Sequence, residues 1–146
     1  MFVRGHVLYV EDDDGIRYMY ADALRTAGLI VQEQKFAADA LDALTRSRPD
    51  LILLDFGMPA GLMSGIEMLV RLRTVPDWAR IPVVVLSALG DFVNPDIMAR
   101  LNVSKVLSKT DIRHDDLVRL IGDILQRQGG ESGTPSSLRR SDSERC

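Results

Sequence analysis

With 146 residues the chain has the length of one ordinary domain, enough to bury roughly two thirds of the surface that its unfolded form exposes. Its 18 basic and 21 acidic residues leave a net charge of -3, which provides no long-range field toward nucleic acid or an anionic membrane and so argues against direct binding of either. No apolar run reaches the 18 residues of a membrane span, and the first residues, "MFVRGHVLYVEDDD", turn acidic before a signal peptide could form, so a cytoplasmic protein is expected. The single cysteine, Cys146, is the last residue of a polar tail, which excludes an internal disulfide and a cysteine-based metal site.

In chain order, "HVLYV" (6 to 10) reads as a buried strand, and "DGIRYMYADALRTAG" as a helix with Ile16, Met19, Tyr20, Ala23, Leu24 and Ala27 on one face and Gly28 at its end. "IVQEQ" (30 to 34) alternates weakly, as an edge strand does, and "AADALDALTRSR" predicts a helix closed off by Pro49. The run "LILLD" (51 to 55) is apolar on both faces, which suits a central strand covered on both sides. After "GMPAGLMSG", Ser64 can cap a helix through "GIEMLVRLRTV". "IPVVVLS" (81 to 87) is a second central strand, Asn94 or Asp96 begins a short helix to Arg100, "KVLS" (105 to 108) is a weaker strand, and "HDDLVRLIGDILQRQ" is the last helix. From Gly129 on the composition is Gly, Ser and charge with one aliphatic residue, which predicts a folded domain over 1–128 and a disordered tail over 129–146.

Strand then helix, five times over, predicts an α/β fold: a doubly wound parallel sheet with helices on both faces. In such sheets ligands bind beyond the carboxyl ends of the strands. The first strand runs into Glu11, Asp12, Asp13 and Asp14, the third ends at Asp55, the fourth ends at Ser87, and Lys109 follows the fifth. Carboxylates gathered on one rim either raise the pKa of a member or hold a cation, and oxygen ligands without His or Cys favour Mg2+ or Mn2+ over zinc. A carboxylate beside such a metal can act as a nucleophile toward phosphorus, with a lysine and a hydroxyl to receive the phosphoryl oxygens. Asp13 and Asp14 read instead as solvated residues of the first helical turn. Lys35 and Lys105 read as surface charges, and His6 and His114 as exposed or capping groups. Trp78 reads as a loop residue packed on the sheet edge, and Met58 as buried under the site loop.

The motifs "LYVEDD", "PDLILLDFGMP", "IPVVVLSA" and "LSK", in this order from about Val7 to Leu125, resemble the receiver domain of bacterial two-component response regulators. The resemblance implies a flavodoxin-like (βα)5 fold with strand order 2-1-3-4-5, of which a member of this family is a standard illustration. It implies that Asp55 is the phosphoacceptor, that Glu11 and Asp12 hold the divalent ion together with Asp55 and the backbone carbonyl of Gly57, that Ser87 is the hydroxyl contacting the phosphoryl group, and that Lys109 is the phosphate-binding lysine. The implied partners are a sensor histidine kinase or phosphotransfer protein as donor and a downstream protein target, or a second copy of the chain, at the 91–128 face. Such a protein catalyses its own phosphorylation and slow dephosphorylation and is not otherwise an enzyme.

The chain also departs from that pattern. "AGLMSG" brings its glycine, Gly65, about two residues late, Thr110 replaces the proline that usually follows the lysine, and Val106 replaces the aromatic residue of the fifth strand. A non-proline cis bond costs about 2.5–4 kcal/mol, so the bond before Thr110 is expected to be trans. The resemblance places Leu89 and Gly57 at positions that in the family modulate loss of the phosphoryl group to water, and Leu89 is expected to shield the site and Gly57 to leave it open. With no folding segment after residue 129, a stand-alone receiver is expected, and the alternative is a receiver-like scaffold that binds a kinase or another receiver unphosphorylated. A haloacid-dehalogenase-type phosphatase would need a second Asp at position 57, where Gly57 stands, and a flavodoxin-like electron carrier would place a Ser/Thr-rich loop after the first strand, where acidic residues stand.

Overall fold

A computed structural model describes residues 3–58, 63–88 and 93–132. The chain runs β1 (His6–Val10), α1 (Asp14–Thr26), β2 (Ile30–Gln34), α2 (Ala37–Leu44), β3 (Leu51–Asp55), α3 (Gly65–Thr74), β4 (Val83–Ser87), α4 (Pro95–Arg100), β5 (Lys105–Ser108) and α5 (His114–Ser132). The strands form one parallel sheet in the order β2-β1-β3-β4-β5, as the alternation of strands and helices predicts.

Period-two alternation divides each central strand between two cores. Val7, Tyr9, Leu51, Leu53, Val84 and Leu86 face α1 and α5. Leu8, Val10, Ile52, Leu54, Val83 and Val85 face α2 and α3, together with Met98 of α4. Both faces of β3 are thereby covered, which is why "LILLD" needs no polar residue until its end.

The caps are local in origin. Asp13 accepts a hydrogen bond from the Ile16 amide at the start of α1. Ser64 and Glu67 form a reciprocal capping box on α3, each satisfying an amide that the first helical turn leaves open. Asn94 accepts from the amides of Asp96 and Ile97, with Pro95 in the first turn of α4.

Four boundaries or faces differ from expectation. The buried face of α1 is Tyr20, Ala21 and Leu24, whereas Met19 is 49% exposed; the helix is turned so that Ala21, a small residue, meets the core while the longer Met19 side chain lies outside. Helix α2 stops at Leu44 rather than at Arg48, because the Thr45 hydroxyl bonds the Asp42 carbonyl at 2.6 Å and the next amides fold back onto Asp42 and Ala43 in a tight turn. Strand β4 starts at Val83, after Pro82, which has no amide to give; its carbonyl still accepts from Ile52. Helix α5 runs on to Ser132, four residues beyond the expected end at Gln128: glycine costs about 1 kcal/mol in a helix but keeps its amide, so an established helix can propagate through Gly129 and Gly130. The rest of the polar tail, with Cys146, lies outside the described residues, as do Leu89 and the part of the "AGLMSG" insertion before Met63.

Candidate functional site

Strands β1 and β3 are neighbours in a register that pairs Val10 with Leu54. The next residue of each, Glu11 and Asp55, therefore emerges beside the other at the carboxyl edge of the sheet. Both are 1% exposed. Two carboxylates in such a place require a cation, and Lys109 supplies one: its Nζ lies 2.7 Å from Glu11 Oε1 and 2.8 Å from Asp55 Oδ1. The lysine reaches them because its own amide donates to the Ser87 carbonyl at 2.8 Å, tying the segment after β5 to the end of β4.

The remaining contacts orient the acids. The Gly57 amide donates to Asp55 Oδ1 at 3.0 Å, and the Asp13 amide donates to Glu11 Oε2 at 3.2 Å. Arg17 of α1 donates to the Glu11 backbone carbonyl at 2.8 Å while its other nitrogens pair with Asp14 and Glu33. Asp12 is half-buried, and one carboxylate oxygen from each of Glu11, Asp12 and Asp55 lies within 4.8 Å of the others.

Electrostatics sets the two buried acids apart. Burial, reinforced by hydrogen bonding with Asp55, pushes Glu11 up to about 7, against the opposing pull of Lys109. Burial also acts to raise Asp55, but hydrogen bonds with Glu11, Lys109 and the Gly57 amide outweigh it and hold Asp55 below the usual carboxylate range. Burial alone would lower Lys109; the two carboxylates reverse that and raise it. At neutral pH Asp55 is ionised while Glu11, near 7, is only partly so, and Asp55 Oδ2 is buried with no aligned hydrogen bond among the described residues. Glu11 Oε1 is likewise without an aligned hydrogen bond, although the Lys109 ammonium lies beside it.

These features fit a hard divalent cation. Three carboxylate oxygens converge without a nitrogen or sulfur ligand, and buried oxygens are left with unmet bonding capacity. Mg2+ bound through few protein oxygens keeps open positions for phosphoryl oxygens.

The other expected site residues are placed less uniformly. Ser87 is half-buried at the end of β4, and its hydroxyl donates to the Leu107 carbonyl at 3.4 Å; no hydrogen bond joins it to Asp55 among the described residues. Gly57 is exposed and engages Asp55 through its amide. Val106 is half-buried against the α2/α3 core. The bond before Thr110 is trans, as expected, and the Thr110 hydroxyl pairs with that of Ser108 at 2.8 Å. Asp13 and Asp14 are exposed at the start of α1, Lys105 is exposed, and Lys35 lies on the surface 3.5 Å from Asp14. His114 is exposed and His6 half-buried at the start of β1. Met58 and Trp78 are half-buried against the α2/α3 core.

Over residues 7–122 the chain matches the family described as response regulator receiver domain. The chain belongs to that family. Transcriptional regulatory protein CseB of Streptomyces avermitilis is 33% identical over 138 residues, covering 94% of this chain and 56% of that protein. Sporulation initiation phosphotransferase F of Bacillus subtilis is 34% identical over 85 residues, covering 58% of this chain and 65% of that protein. The receiver thus spans less than two thirds of either relative. Among solved structures, one described as a response regulator from Chloroflexus aurantiacus is 27% identical with a TM-score of 0.75, covering 85% of this chain and 99% of the other. The Francisella response regulator 1452 receiver domain, at 24% identity and a TM-score of 0.74, shares the fold over 85% of this chain and 98% of its own.

The chain is thus a response regulator receiver domain of two-component signalling. No described helix is long and apolar enough to cross a membrane. Two further arginines escaped the sequence reading. Arg17 shows a weak signal in its spacing three residues from Asp14. Arg73, which donates to the carbonyls of Leu101, Ala79, Ile81 and Asn102, shows none, because backbone carbonyls leave no trace in sequence.

Proposed function

We propose that this receiver accepts a phosphoryl group on Asp55 from a phosphohistidine of a sensor histidine kinase or phosphotransfer protein, in a reaction that needs Mg2+ or Mn2+. The observation that carries the reading is the Asp55 carboxylate: ionised, buried, with one oxygen held by Lys109 and the Gly57 amide and the other unpartnered. Oδ2 attacks phosphorus, the phosphorus–nitrogen bond breaks, and its electron pair returns to the donor imidazole. Glu11 and Asp12, with Asp55 and the Gly57 carbonyl, are the residues that would hold the metal. When bound, the metal neutralises charge on the phosphoryl oxygens.

Lys109 then turns from the carboxylates toward the phosphoryl group. Ser87 leaves the Leu107 carbonyl to donate to a phosphoryl oxygen; its present bond, at 3.4 Å, is long and weak enough to give up. The added charge is read by a protein partner, or by a second copy of the chain, at the 91–128 face, or the phosphoryl group is relayed onward. The protein works in the cytoplasm, where a kinase and its ATP would meet it.

The test is intact mass after incubation with Mg2+ and acetyl phosphate or phosphoramidate. Wild type should gain a phosphate-sized mass and Asp55→Asn should not. A second reading, an unphosphorylated scaffold, is favoured by Val106 in the place of the usual aromatic residue. No gain with small donors or with any histidine kinase tried, together with no Mg2+ binding, would select it.

A further inference from the structure

Tyr9 stands on β1 two residues before Glu11, so strand alternation directs both side chains to the same face of the sheet. The ring is completely buried. Its hydroxyl, beside the Glu11 carboxylate, makes no aligned hydrogen bond among the described residues, and Glu11 Oε1 has none either, although the Lys109 ammonium lies 2.7 Å from it. A buried donor without an aligned partner thus stands two positions before a buried acceptor whose neighbour is the Lys109 ammonium. Buried phenols ordinarily find a partner, and an exception calls for a physical explanation.

Packing leaves the ring little freedom. Tyr20 of α1 meets it edge-on with centroids 6.4 Å apart at 86°, and Tyr20 in turn meets His114 of α5 at 5.0 Å and 60°. The hydroxyl proton is what remains free to turn. A neutral phenol keeps its proton at physiological pH and so offers the Glu11 carboxylate a hydrogen-bond donor.

The partner becomes available when the site reacts. A single ammonium, Lys109, serves two carboxylates. A phosphoryl group on Asp55 carries about two negative charges and draws that ammonium toward itself, leaving Glu11 Oε1 without its cation. We propose that Tyr9 is a positioning residue of the phosphorylation site: its hydroxyl donates to the Glu11 carboxylate when Lys109 leaves it, and so keeps Glu11 aimed at the metal. This role rests on the phosphoacceptor reading above. Outer partners of metal-binding carboxylates have this effect elsewhere, and their loss weakens metal binding about 10- to 100-fold.

The experiment compares full-length wild type with Tyr9→Phe, using Mg2+ with beryllium fluoride as a stand-in for the phosphoryl group. Calorimetry should show Mg2+ affinity in the presence of beryllium fluoride weakened about 10-fold or more by the variant. The metal-free variant should melt no lower than wild type, since only an unpaired hydroxyl has been removed. A near-UV tyrosine difference spectrum should appear in wild type on adding Mg2+ and beryllium fluoride and vanish in the variant. Equal affinities and equal difference spectra would overturn the role. So would a lower melting temperature with unchanged affinity, since Tyr9 would then only pack. If wild type itself binds neither Mg2+ nor beryllium fluoride, the phosphoacceptor reading fails first and this role falls with it.

Discussion

Glu11 and Asp55 are chemically alike and equally buried, yet they titrate apart because Asp55 collects more donors than Glu11 does. This has a consequence for stability. The Glu11 pKa rises from its ordinary 4.5 to about 7 on folding, so the folded state holds a proton that the unfolded state gives up. The stabilisation is complete below about pH 4.5 and is lost as pH rises through about 7. Metal-free wild type should accordingly lose melting temperature between pH 5 and 8, and Glu11→Gln should flatten that decline. Metal binding runs the other way: the cation displaces the proton, so Mg2+ affinity should rise across the same interval. Melting curves and Mg2+ titrations at several pH values check both; a melting temperature rising with pH in wild type alone would contradict the assignment. Glu11 and Asp55 were legible because acids at strand ends stand out against aliphatic runs. Tyr9 and Arg17 were not, since an aromatic residue in a buried strand and an arginine on a helix look like ordinary core and surface.

Among the elements, α3 shows how the site loop is held. Gly65 is buried in the first turn of the helix, and a Cβ there would come within 2.6 Å of Phe56 Cδ1 and 3.4 Å of the Asp55 carbonyl. The glycine therefore lets the helix start lie against the ring that follows Asp55. Gly65→Ala should displace Phe56, destabilise the fold by about 1–3 kcal/mol and slow phosphorylation of Asp55, measured by urea unfolding and by rate of mass gain. Unchanged values in both would show that the ring moves aside freely. At the other end of α3, Arg73 binds four carbonyls from the α3–β4 and α4–β5 connections. Arg73→Met should cost about 2–4 kcal/mol, because charge-assisted bonds are lost and partly buried carbonyls are stranded. Lysine at 73 should recover less than half, having one point charge where the guanidinium has a fork. Element order and type were readable from periodicity. Ends were less so: Thr45 stopped α2 through a side-chain bond to Asp42, whereas glycines failed to stop α5.

At the scale of the whole molecule, folding brings together carboxylates that repel one another, and a bound cation should repay part of that repulsion. Mg2+ at ten times its dissociation constant should stabilise the protein by about 1.4 kcal/mol, a rise of a few degrees in melting temperature. Asp12→Asn should remove most of the rise while leaving the metal-free protein nearly as stable, because Asp12 is only half-buried. A thermal shift identical in the variant would place the cation elsewhere.

The sequence by itself determined the fold class, the strand order implied by the family resemblance, and the identities of Glu11, Asp12, Asp55 and Lys109 as chemistry gathered at one rim. It could do so because hydrophobic periodicity is local and because parallel connections leave strand ends on one edge. Only the tertiary structure decided how these groups share charge: which carboxylate holds a proton more tightly, which oxygen of Asp55 lacks an aligned bond, that Ser87 bonds the Leu107 carbonyl, and that the Tyr9 hydroxyl lies buried without an aligned bond. Those outcomes depend on distances of a few ångströms between residues tens of positions apart, and on burial that no single strand creates alone.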